Sequence, residues 1–188
     1  KRLNTAGTQW INPFIAMQAD FESALHWDAQ SVQEDLSSFF NDTAPTAVNV
    51  VLGNDNVTNS TGNTYIAYCF AAVQGYSKFG KYTGNGNADG PFVYTGFRPA
   101  YFFVKAADSL DSWVLYDNKR LGYNEENDYF RIESTAAESS NTPADILSNG
   151  FKIRYQYGET NASGGDYVYA AFAESPLVNS EGVPANAR

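Results

Sequence analysis

The chain has 188 residues, 43% of them hydrophobic and 15% aromatic, enough for one sizeable core or two small ones and too apolar for a disordered tail. Its formal net charge is -9, and its 12 Lys and Arg nowhere cluster, which argues against a phosphate-tracking groove and makes nucleic acid and anionic membranes poor partners. A single His and a single Cys leave Ser-His-Asp, Cys-His and multi-His metal chemistry short of parts and rule out an internal disulfide.

Short apolar runs of period two, bounded by Gly, Asn, Asp and Pro, predict an all-β chain, an antiparallel β-sandwich of jelly-roll or lectin-like kind. Strands are expected at 9–17, 24–27, 47–52, 64–72, 77–82, 92–94, 100–105, 112–116, 129–132, 151–157 and 166–173. Only 31–40 and 143–147 suit a helical turn or two, started by Ser31 and Thr142 as N-caps. His26, beside Trp27, is expected to be structural, and the sequons at Asn41, Asn56, Asn59 and Asn161 read as turn chemistry. Cys69 sits in an apolar run and is expected to be a small buried hydrophobe.

Asn85-Gly86-Asn87-Ala88-Asp89-Gly90 matches the opening of a calcium loop, with oxygen ligands at alternate positions. Gly96 stands where the closing Glu should be, and an Asn-Gly turn between strands has the same appearance, so the turn is the expectation and no metal or cofactor is assigned. Asp108 with Asp111, and Glu125 and Glu126 with Asp128, are paired carboxylates in polar loops, where they stay solvated and ionised. Trp113, in Ser112-Trp113-Val114-Leu115-Tyr116-Asp117, reads as a core anchor. The 13 Tyr, 13 Phe and 3 Trp exceed what the core needs, and spare rings beside Asn and Asp suit a sugar or a protein partner. Residues 176–188 lack apolar pattern and form an extended tail or an arm on a neighbour. There is no signal peptide and no run of transmembrane length, and an opening Lys1 without Met suggests a processed protein or a piece of a longer one.

The chain repeats itself. Asn59-Ser60-Thr61-Gly62-Asn63-Thr64-Tyr65-Ile66-Ala67-Tyr68-Cys69-Phe70-Ala71 returns 102 residues on as Asn161-Ala162-Ser163-Gly164-Gly165-Asp166-Tyr167-Val168-Tyr169-Ala170-Ala171-Phe172-Ala173. Phe14 to Asp20 further parallels Phe102 to Asp108, and Trp27-Asp28 parallels Tyr116-Asp117. Two related modules are expected, 1–73 and 74–175, the first without a counterpart to 77–90, as though the chain begins inside it. Both faces of each repeated strand are apolar, so each is covered twice, by a second sheet and a flanking loop or by another subunit, unless one face simply exposes its tyrosines.

The run Tyr65-Ile66-Ala67-Tyr68-Cys69-Phe70-Ala71, then Gly75 to Gly86 and Asp89 to Ala100, resembles a repeat of unassigned function in virion and tail-fibre-like proteins of marine bacteriophages. Trp113 to Arg120, Leu147 to Lys152, Asn161 to Gly165, Tyr167 and Ala170 to Glu174 fit the same repeat, as do Asn41 to Thr46 and Val51 to Gly53. The resemblance implies a phage surface protein, trimeric in a fibre or spike, on an extracellular virion. No catalytic residues come with it.

The expectation is therefore a non-enzymatic structural virion module, in a tail fibre or spike or as a capsid decoration, that contributes to attachment to a host glycan or receptor. A purely architectural adaptor or cement protein for other virion proteins is the alternative. A polysaccharide depolymerase is the third reading, and it needs an inward-facing acidic pair that the repeated strands lack beyond Asp166.

Overall fold

The structure is a computed structural model and describes residues 1–14, 23–35, 37–120, 128–141 and 143–176. In chain order its elements are β1 (Ile11–Pro13), β2 (Ser23–His26), β3 (Glu34–Asp35), α1 (Ser37–Phe40), β4 (Ser77–Thr83), β5 (Phe92–Tyr94) and β6 (Pro99–Ala106). There follow β7 (Val114–Asp117), β8 (Phe130–Arg131), β9 (Ala144–Leu147), β10 (Gly150–Ile153), α2 (Gly158–Asn161) and β11 (Asp166–Ala173). The fold is mostly β, and all its ladders among the described residues are antiparallel: β4-β11-β6-β7-β8, β5-β10-β9 and β1-β2-β3.

Alternation along the five-stranded sheet divides its side chains between two cores. One face sends Phe102, Val104, Val114, Tyr116, Tyr169 and Ala171 against Val93, Ile146, Phe151 and Ile153 of β5-β10-β9, with Phe102 and Phe151 stacked at 4.0 Å. The opposite face sends Phe103, Val168 and Ala170 against Phe14 and Leu25, with Trp113 at the centre and Trp27 tilted against it at 4.7 Å. The 166–173 strand is thus covered on both faces by its own chain, which explains its unbroken apolar run.

Most expected strands are present, several of them trimmed, while five expectations change. Residues 143–147 form a strand: Ala144 and Ile146 point inward with period two, and the two-residue loop Ser148-Asn149 folds β9 back on β10. Among the described residues of 31–40 only Ser37–Phe40 is helical, since Glu34–Asp35 pairs with β2 and the Ser31 hydroxyl accepts from His26 N instead of capping a helix. The expected 9–17 strand is seen as Ile11–Pro13, residues 15–17 lying outside the described residues. Residues 47–52 form no strand, and Val48 is 84% exposed. Residues 64–72 form none either beyond a bridge from Tyr65 to Arg2; Ala67 to Ala72 are exposed, and Cys69 with them, contrary to its expected burial.

The turns before Tyr65 and Tyr167 are nevertheless built alike. Tyr167 Oη donates to the Gly158 carbonyl and accepts from Ala162 N; Tyr65 Oη donates to the Asn56 carbonyl and accepts from Ser60 N. Asn161 Nδ2 donates to the Tyr155 carbonyl and Asn59 Nδ2 to the Gly53 carbonyl, each at 2.9 Å. Gly164 and Gly62 supply the left-handed residue, φ 78° and 77°, that a side chain would strain.

Further upstream, the structure replaces the correspondence drawn from sequence. Leu3 N donates to the Thr64 carbonyl as Ala107 N does to the Asp166 carbonyl, both at 2.8 Å, and Asn4 Oδ1 accepts from Thr64 N as Asp108 Oδ2 does from Asp166 N. Lys1 to Asn4 therefore stand where Lys105 to Asp108 stand. The pairs Ile11↔His26 and Asn12↔Leu25 repeat Val114↔Arg131 and Leu115↔Phe130, so β1-β2 corresponds to β7-β8. Trp27 N donates to the Trp10 carbonyl (2.9 Å) as Ile132 N does to the Trp113 carbonyl (3.0 Å), which aligns Trp27 with Ile132 and not with Tyr116. Phe14 to Asp20, expected to parallel Phe102 to Asp108, lies outside the described residues apart from Phe14. Among the described residues, nothing in the first stretch stands for 77–104, that is, for β4, β5 and most of β6.

Candidate binding surface

The apolar face of the large sheet that holds Trp113 runs on past its N-terminal cover. There Phe172 is ringed by Phe79 (5.8 Å), Tyr101 (4.8 Å, stacked), Phe70 (6.2 Å) and Tyr76 (6.3 Å). Phe70 is 69%, Tyr76 49% and Tyr101 37% exposed, so solvent meets a row of ring edges and faces. Tyr68, stacked on Trp10 at 5.7 Å beneath the Lys1 ammonium, is also exposed. Burial, and then the nearby Tyr76, raise the Tyr101 hydroxyl above its usual range, leaving it a neutral donor at neutral pH. Such a surface can stack on a sugar ring or pack against protein.

The residues singled out in sequence are mostly structural. His26 is buried, and its carbonyl accepts from the indole of the fully buried Trp113, a core anchor as expected. In the Asn85–Gly90 turn, Asn85 Oδ1 accepts from Asn87 N and Asn161 Nδ2, Asn87 Oδ1 accepts from Asp89 N, and the Asp89 carboxylate meets Lys152 and Arg154. The hydrogen bond from Lys152 and its charge hold the Asp89 carboxyl below the usual range. These oxygens serve the turn itself, as an Asn-Gly turn requires. No group of three or more His, Cys, Asp or Glu able to hold a metal occurs among the described residues.

Asp108 accepts from Asp166 N and Asp111 from the Ser109 hydroxyl; Asp128 is half-buried, and Glu125 and Glu126 lie outside the described residues. Two buried polar residues have roles that the sequence alone did not assign. Lys105 is fully buried, and its ammonium donates to the carbonyls of Ala106 and Ser109, tying down the loop after β6. Desolvation pushes its amine down to about 8, against the opposing pull of Asp111, Glu133 and Asp108. Asn161, also fully buried, donates through Nδ2 to Asn85 Oδ1, the Asn87 carbonyl and the Tyr155 carbonyl and accepts from Asn85 N through Oδ1. Its recurrence at Asn59 was the available signal.

Asn59 itself is exposed and lines an open polar cleft of about 610 Å³ with Ser38, Asn41, Asp42, Gly53 and Asn54. Asn41 and Asp42 hold left-handed backbone, φ 52° and 47°, on its wall. Comparison with known families matches residues 1–176 to one model, a domain of unknown function, DUF7483. The chain belongs to this family. The family match runs through both versions of the Tyr-led turn and takes in the aromatic face and the cleft. No curated protein and no solved structure matches the chain significantly.

Proposed function

We propose that this DUF7483 chain is a non-enzymatic structural module of a phage virion, from a tail fibre, a spike or a capsid decoration, which holds a host-surface glycan or receptor. The observation that carries the reading is the exposed aromatic row Phe70, Tyr76 and Tyr101 around Phe172. A continuous ring surface at the end of a sheet is costly to leave in water unless something binds it. The phage setting rests on the sequence resemblance.

Host-cell binding and a glycan array test the reading. The folded chain should bind and the Tyr76→Ala/Tyr101→Ala variant should lose the signal; blank results for the wild type remove attachment. In that event the architectural role, an adaptor or cement between virion proteins, takes its place, favoured by the exposed 67–72 segment. Within this reading the chain consists of two related modules of an antiparallel sandwich, supported by the matching hydrogen bonds of the two turns. We further propose a homo-oligomer, a trimer favoured. Light scattering that returned a clean monomer would remove it.

A further inference from the structure

The aromatic row leads into a charged rim. Tyr76, just before β4, meets Phe172 of β11 at 6.3 Å, Phe172 stacks on Tyr101 of β6 at 4.8 Å, and Tyr101 pairs across the ladder with Asp117 of β7. Val114 and Tyr116 point into the other core, so alternation along β7 puts Asp117 on the face of the row, as it does Leu115. The side chains of such a cross-strand pair start about 5 Å apart, close to the width of one pyranose ring.

Arg120 Nε donates to Asp117 Oδ2 at 2.7 Å and its Nη1 donates to Glu138 Oε2, while the guanidinium carbon sits 3.7 Å from the centre of the Phe130 ring. Phe130 is paired with Leu115 and is 37% exposed, so it belongs to the same face. Arg120 Nη2 makes no hydrogen bond among the described residues, and Glu138 is exposed. Lys119 gives Asp117 only its backbone N–H. Two carboxylates thus enclose one guanidinium, in a chain of net charge -9. The positive charge of Arg120 is already matched, and an acidic sugar would meet repulsion. The carboxylates can still accept from hydroxyls, and Arg120 Nη2 can donate to a hydroxyl or ring oxygen. Ring faces for C–H groups beside a neutralised acid and base for O–H groups are the complement of an uncharged sugar.

We propose that the row and this rim form one binding site for a neutral glycan of two or more sugars lying across the strands, with one sugar at Tyr76 and the next at Tyr101, its hydroxyls on Asp117, Arg120 and Glu138. The inference rests on the reading of the row as a host-glycan surface and narrows it to uncharged glycans, with Asp117, Arg120 and Glu138 setting that preference. Arg120 is held by both carboxylates and by Phe130 in the free chain, so little order is lost when a sugar arrives.

A glycan array that carries hexose and N-acetylhexosamine oligosaccharides beside uronic-acid and sialic-acid oligosaccharides tests it with the intact chain. Expected is binding to the neutral members, lost in Tyr76→Ala/Tyr101→Ala and weakened about tenfold or more in Asp117→Asn/Glu138→Gln. The second variant, which leaves the Arg120 charge unmatched, should at the same time begin to retain acidic members, a gain that a loosened fold would not produce. Weakening without that gain gives the carboxylates a structural role and overturns the inference. Wild-type preference for acidic members, or neutral binding that Asp117→Asn/Glu138→Gln leaves intact, also overturns it, while the attachment reading stands as long as the tyrosine variant fails to bind. A blank array, or a tyrosine variant that binds as the wild type does, removes both. Poly-lysine, bound in place of any glycan and released by Asp117→Asn/Glu138→Gln, would assign the surface to a basic protein segment and overturn the inference as well.

Discussion

Residues 65–71 and 167–173 are near-copies that end in opposite states. The later copy is the second strand of a five-stranded sheet, with Tyr167 to Ala171 at most 4% exposed, whereas the earlier one runs exposed from Ala67 onward with Phe70 at 69%. Their turns match bond for bond, so local sequence suffices to make the turn. It does not suffice to make the strand. Strand pairing and burial come from what lies alongside, and β4, β5 and most of β6 flank or cover only the later copy.

The widest separation between the copies should appear in thiol reactivity. Exposed Cys69 should react with a thiol reagent in the native chain about as fast as in denaturant, while an Ala171→Cys variant should be protected roughly 10³-fold, because only local or global opening frees it. Equal rates would break the comparison. Next comes the repeated Asn. In urea unfolding, Asn161→Ala should lose about 3 kcal/mol, since it orphans several buried partners, and Asn59→Ala no more than about 0.5 kcal/mol.

Tyr167→Phe should cost about 1 to 2 kcal/mol and Tyr65→Phe about half of that, as the same two hydrogen bonds are removed from a drier and a wetter site. The smallest effect is a slope. Lys105 titrates near 8 in the folded chain and at 10.5 when unperturbed, so the cost of burying its charge is present in full below pH 8 and is relieved as pH rises toward 10.5. Across that window the unfolded state holds the extra proton, and wild-type stability should gain relative to Lys105→Met. The charged groups that face it are Asp108, Asp111 and Glu133.

Period-two patterning found the 166–173 strand to the residue, and β4, β5 and β7 nearly so, because their alternation is read by two real cores. The same rule failed at 64–72, where the pattern is equally good and no neighbouring strand reads it. It failed at 143–147 for a different reason: five residues are too few to tell a helical from an extended apolar run, and only the pairing with Phe151 and Ile153 decides. Asn59 and Asn161 were visible as sequons and taken for turn chemistry, which they are. What sequence could not give is that one of them is sealed beneath a loop and the other open to water.

One small turn bears on how tightly the aromatic row could hold a ligand. Between Val73 and Ser77, both amides of Tyr76 and Ser77 return to the Val73 carbonyl, Ser77 Oγ donates to the Ala71 carbonyl, and Tyr76 O accepts from Ala173 N. The backbone of Tyr76 is thus tied to the sheet edge from both sides, and Ala71, next to Phe70, is tied to Ser77. A partner that settled on these rings would find them already in place, and the association would forfeit little conformational entropy.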